Sequence, residues 1–158
     1  MSHVAASDCE RIRDGRVAQP ANTASSLAFV VAGVEILRRT GRHRRWWSAV
    51  AAASITAGIG SVAYHGPGGR IAKVVHDVGV DALALALPVA VAADGAPARI
   101  SPRTVALGAA SVAAHVLTRT GAPLCDPDAR VQGHAVFHVL AASAVASAAR
   151  DQLARPPA

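Results

Sequence analysis

Apolar and polar residues fall along this chain in long blocks. Five apolar blocks stand out, at 21–37, 46–64, 74–93, 104–118 and 131–149. The second has no charged residue, and the fifth has two histidines but no Asp, Glu, Lys or Arg. A bilayer-crossing helix needs about 20 residues, with a range of roughly 17–25. Four blocks are long enough. The fourth is short, and it either borrows from Ile100 onward or sits inside the bundle. Strands are a poor reading, because alanine-rich runs of this length do not alternate and alanine favours helix. The pattern predicts an all-α, polytopic transmembrane bundle of about five helices. Residues 1–158 form one integral membrane domain, with no internal repeat, an external N-tail (1–20) and a cytoplasmic C-tail (150–158). Residues 1–20 contain no apolar core of a cleavable signal.

Composition sharpens this picture. Apolar residues make up 52% of the chain and charged residues 16%, against about 25% charged in soluble domains. That excludes a disordered chain and a disulfide-dense scaffold. The 38 alanines would let helices pack closely in lipid. A net charge of +6 invites a nucleic-acid partner, but the placement of charge argues against one. Arg38, Arg39, Arg42, Arg44 and Arg45 sit between two apolar blocks, the pattern of a cytoplasmic loop. This loop puts the N-terminus outside, and the orientation rests mainly on it. Trp46 and Trp47 are then expected to anchor the inner interface. Cys9 and Cys125 both fall on the outer side, where thiols oxidise. They either pair or remain two small unpaired side chains.

Ionisable residues inside membrane segments are functional candidates by default. Here they gather at one depth. His65 ends the second block; His76, Asp77 and Asp81 open the third; His134 and His138 open the fifth. His134 and His138 are spaced i, i+4 and share a helix face, so both imidazoles can meet one metal ion. His65 is the natural third ligand of a zinc site that keeps a position for water. The structural alternative is a set of imidazoles hydrogen-bonding to neighbouring helices. Ser61 lies one turn before His65 and is placed for a developing oxyanion; alternatively it bonds its own helix backbone. Asp77 and Asp81 are candidates to orient or deprotonate a water, or to pair with His76 or Arg70. His115 reads as structural, and His3 and His43 need no special role.

The order Cys9-Glu10, Asn22-Thr23, Ser61-Val-Ala-Tyr-His65, Asp77 and His134-Ala-Val-Phe-His138 resembles the alkaline ceramidase family. That family belongs to the CREST-type superfamily of membrane zinc hydrolases, which includes the adiponectin-receptor-like proteins. The resemblance runs from about Cys9 to His138. It implies one zinc per chain on His65, His134 and His138, and hydrolysis of a ceramide-like lipid amide to a long-chain base and a fatty acid. It gives Asp77 the role of proton carrier and Ser61 that of oxyanion donor, with Asp81 as the alternative acid and Asn22 and His76 in support. It implies a Cys9–Cys125 disulfide. Asp8 and Glu10 correspond to acids that hold calcium in the family, but Gln19 stands where a further acid is expected near the first helix, which counts against calcium. The family has seven helices and this chain five blocks, so a homo-oligomer that completes the bundle is a further expectation. Two other readings are a metal-free lipid receptor or structural membrane protein, and a haem carrier. The shared face of His134 and His138 disfavours haem, whose axial ligands lie on opposite sides.

Overall fold

Each apolar block folds as one α-helix in the computed structural model, which describes residues 7–40, 44–93 and 100–154. The helices are α1 (Pro20–Arg39), α2 (Arg45–His65), α3 (Arg70–Ala93), α4 (Pro102–Leu117) and α5 (Gly133–Leu153). Among the described residues there is no strand. Two helices outrun their apolar blocks by four residues at one end. α3 begins in Arg70–Lys73, and α5 continues through Arg150–Leu153. Hydropathy marks the stretch suited to lipid, whereas backbone hydrogen bonding carries the helix on into polar residues. Three helices, α1, α2 and α3, are long and apolar enough to cross a membrane. α4 has only 16 residues, and α5 is long enough but is diluted by His134 and His138. The expectation of five spans therefore holds as five helices, three of which pass on length and composition.

α2 packs on α1 and α3, α1 packs on α5, and α5 packs on α4. The order across the bundle is thus α3, α2, α1, α5, α4, and α3 has no broad packing against α4. Small residues set the close crossings. A Cβ at Gly58 would lie 2.9 Å from the Val30 backbone nitrogen, and one at Gly79 would lie 2.5 Å from the Ala57 nitrogen. Glycine thus lets α2 lie directly on α1 and α3. The apolar core includes Phe29, Ile36, Trp47, Val50, Leu83 and Val145. Trp47 is fully buried in it, so of the expected interfacial pair only Trp46 lies at the surface, with the Arg45 guanidinium over its ring. Leu27, Val31, Ile59, Ile71, Leu85 and Val112 are each more than half exposed on the outer helix faces. An apolar exterior of this kind suits contact with lipid.

Residues 7–19 form a strap across the end of the bundle where α2 finishes and α5 begins. The Arg11 N–H donates to Pro127 O, the Ala18 N–H to Gly66 O and the Gln19 N–H to His65 O, at 3.0–3.1 Å. A Cys9–Cys125 disulfide ties the strap to the α4–α5 loop. Outside it, Arg11 pairs with Asp128, which holds the Asp128 carboxyl below its ordinary range. Glu10 turns inward. Its two carboxylate oxygens accept the Ala21 and Asn22 backbone N–H groups at 2.9 and 2.8 Å, a favourable use of negative charge at a helix N-terminus. Gln19, at the N-cap position, does not cap with its own side chain.

Candidate metal centre

The strap and the glycine-set crossings bring three histidines together. His65 ends α2, His134 and His138 lie in the first turns of α5, and all three are buried. Ring centroids are 5.2 Å apart for His65–His134 and for His65–His138, and 4.5 Å for His134–His138. One ring nitrogen from each lies within 4.8 Å of the others. Among the described residues this is the one group of three or more His, Cys, Asp or Glu side chains close enough to share an ion.

The partners of the outer nitrogens assign the tautomers. Gln19 Nε2 donates to Glu10 O at 2.9 Å, which turns Gln19 Oε1 toward His65 Nδ1 at 2.7 Å. His65 Nδ1 is therefore the donor, and Nε2 carries the lone pair. Ser25 Oγ donates to Asn22 O and lies 2.9 Å from His138 Nδ1, so His138 adopts the same tautomer. His134 Nδ1 is buried, makes no hydrogen bond and faces Asp8 Oδ1 at 3.9 Å. Asp8 is itself buried on the strap, with Oδ2 4.0 Å from His65 Nδ1. Ring N–H groups held by an amide oxygen and a hydroxyl, or facing a carboxylate, are how proteins orient metal-binding histidines. Three imidazole nitrogens gathered in this way are a donor set that suits zinc, copper, iron or nickel.

Asn22 is the hub beneath the site. Its carbonyl accepts from Ser25 and Ser26, and its amide nitrogen reaches Gln19 Oε1 at 3.4 Å. Ser61 lies one turn before His65, with its Oγ 2.9 Å from Ser26 Oγ. The two acids expected on α3 are not brought to the histidines. Asp77 is 45% exposed and turns to Lys73 at 2.5 Å, and Asp81 is exposed. The α3 residue that faces inward is His76. It stacks on Tyr64 at 4.7 Å, lies 6.4 Å from the His65 ring, and has its Nδ1 3.0 Å from Asp77 Oδ1. Asp8 and Glu10 do not form a shared acidic site. Asp8 faces imidazoles and Glu10 caps α1, so the calcium expectation finds no acid cluster among these residues. His115 lies 5.9 Å from His134 and 4.7 Å from Phe137, outside the ligand group.

A cavity of about 440 Å³ opens beside the histidines. All five helices line it, including Phe29, Ser61, His76, Leu83, Val112 and His138. Its walls are largely apolar, and it lies where α3 and α4 stand apart. Sequence reasoning missed Ser25, Ser26 and the orienting role of Gln19. The available signal was that Ser25 and Ser26 sit about one turn after Asn22, on the face toward α5. Compared with known proteins, the chain matches no family model, no curated protein and no solved structure.

Proposed function

We propose that this chain is an integral membrane, zinc-dependent hydrolase that cleaves a lipid amide bond, ceramide or a close analogue. One observation carries the reading. Three buried imidazoles, two with Nδ1 hydrogen-bonded and the third with Nδ1 facing a carboxylate, each bring a ring nitrogen within 4.8 Å of the others, and His138 among them lines an apolar cavity between lipid-suited helices. His65, His134 and His138 would hold the ion, one per chain. When bound in such a site, zinc polarises a carbonyl and brings the pKa of its water to about 7. The resemblance to the alkaline ceramidase family supplies the choice of zinc and of an amide substrate.

The chain's own groups then divide the work. Gln19, Ser25 and Asp8 hold the ring planes. Ser61 offers a hydroxyl at the cavity wall, where a carbonyl oxygen develops charge. His76 takes the place first expected of Asp77. Its Nδ1 engages the Asp77 carboxylate, which leaves Nε2 to hold or pass a proton at the cavity wall. Asp77 acts through this ring. The apolar cavity receives the lipid chain and keeps bulk water away. Localisation in the cytoplasmic membrane with the site at the external face is part of the proposal. The disulfide puts the strap and the α4–α5 loop on one side, and disulfides persist outside the cytoplasm. Arg38, Arg39, Arg44 and Arg45 cluster at the opposite end.

Elemental analysis of detergent-purified protein tests the centre, with a His134→Ala/His138→Ala double variant beside it. The expected result is about one zinc per chain, absent from the variant, with release of a long-chain base from ceramide by the wild type alone. No zinc after chelator-free purification overturns the proposal. Zinc without turnover of any lipid amide moves the reading to a metal-holding lipid receptor.

A further inference from the structure

A second pocket lies far from the histidines. It is a trough of about 300 Å³ along the α1–α5 seam, closed at one end by the first turn of α4. Its floor is made by small side chains, among them Ala28, Ala32 and Ala142, and its polar end by Glu35, Arg103 and Arg150. Arg150 stands three turns along α5 from His138, roughly 18 Å at 1.5 Å per residue. This is the basic end of the bundle, opposite the strap.

The polar end carries more cation than its own acid can match. Arg150 donates through Nε and Nη2 to both oxygens of Glu35 at 2.8 Å. Arg39 donates to the same carboxylate at 3.0 Å. The neighbouring Asp151 accepts instead from the Ser101 N–H at 2.9 Å and Thr104 Oγ1 at 2.7 Å. Arg103 has no ion pair among the described residues. Arg150 and Arg39 thus share one carboxylate, and Arg103 adds a third guanidinium at the polar end of an alanine-floored trough on a helix surface suited to lipid.

We propose that this trough binds an anionic phospholipid, with its phosphate on Arg103 and Arg150 and one acyl chain along the alanine floor. Guanidinium forks match phosphate oxygens, and basic pockets between membrane helices suit anionic headgroups. Glu35 holds Arg150 in place and lowers the local charge enough that the site takes one phosphate rather than a diffuse anion cloud. The inference needs the chain to lie in a bilayer and is independent of any hydrolase activity.

The test compares phosphatidylglycerol with phosphatidylcholine of the same acyl chains. Each is added to detergent-purified protein, and retained lipid is read by native mass spectrometry. An arginine near the headgroup is worth about fivefold in affinity for an anionic lipid. Wild type is expected to prefer phosphatidylglycerol. R103Q is expected to lose about fivefold of that preference while keeping its helicity and metal content. R45Q, which changes a basic surface residue outside the trough, is expected to keep the full preference. Equal retention of the two lipids by wild type, an unchanged preference in R103Q, or an equal loss in R45Q would each overturn the proposal. So would competition by millimolar inorganic phosphate that removes the preference, since the site would then hold phosphate rather than lipid.

Discussion

Gln19→Leu is the most informative change near the histidines, because Gln19 is not itself a ligand. Its side chain is fully buried and does two things at once. It fixes itself by donating to Glu10 O, and it accepts the His65 Nδ1–H at 2.7 Å. Leucine fills nearly the same space and does neither. His65 then loses the acceptor that sets its tautomer and ring plane, and the Glu10 carbonyl loses a donor. Partners of this kind are worth roughly 10- to 100-fold in metal affinity, or about 1.4–2.7 kcal/mol. Loss of a buried hydrogen bond adds about 1–3 kcal/mol to the cost in fold stability. Competition with a chromophoric chelator at pH 7 measures the first effect, and thermal unfolding of the metal-free protein measures the second. We expect both to fall, with metal affinity down at least tenfold. A Gln19→Leu protein that binds zinc within about twofold of wild type would refute the argument that Gln19 orients His65.

His134→Ala or His138→Ala should abolish stoichiometric metal binding outright, as read by elemental analysis. His76→Gln should leave metal content intact and remove most lipid-amide turnover; Asp77→Asn should do the same more mildly, because it acts through His76, and Asp81→Asn should leave turnover near wild type in the same assay. Cys9→Ser should destabilise the protein by about 2–4 kcal/mol, seen as a lower melting temperature in non-reducing buffer, with a smaller loss of metal affinity than Gln19→Leu because Asp8 is the neighbouring residue.

The three histidines of the candidate metal centre were legible because each is a rare polar residue in an apolar block. Their spacing and depth needed no tertiary information. The choice among α3 residues did need it. Successive positions on a helix differ by about 100°, so a single step decides whether His76 or Asp77 faces the cavity. Periodicity did carry a signal, because Asp77 and Asp81 share one polar face with Arg70 and Lys73, and His76 lies one step off it. The resemblance pointed to the acid, and the packing of α3 on α2 through Gly79 turned the histidine inward instead. Asp8 and Glu10 flank Cys9 directly, and in sequence they look like a pair. The positive φ of 65° at Cys9 separates them, sending Glu10 to the α1 N-terminus and Asp8 toward the imidazoles. Ser25 and Ser26 were hidden for a different reason. A serine in an apolar helix bonds its own backbone in most settings, and here both do so while also reaching across to α5 and α2.

The order of helices across the bundle separates the metal centre from the cavity wall. Every candidate ligand and every group that orients one lies on the strap, α1, α2 or α5. α3 contributes only His76 and an apolar wall, and its broad packing is against α2. A change that moves α3 should therefore damage the cavity and spare the ion. Gly79→Leu is that change. A Cβ at Gly79 would meet the backbone of Thr56 and Ala57 at 2.5–2.9 Å, atoms that cannot swing aside, so α3 must move off α2. Overpacking of this kind destabilises by about 1–3 kcal/mol. Zinc affinity should stay within about threefold of wild type, since His65 and α5 keep their partners on α1. Turnover of a lipid amide should collapse, because His76 and Leu83 leave the cavity together. A variant that loses zinc as completely as His134→Ala would show that α3 supports the ligands directly, and the division between a fixed centre and a separable wall would be wrong.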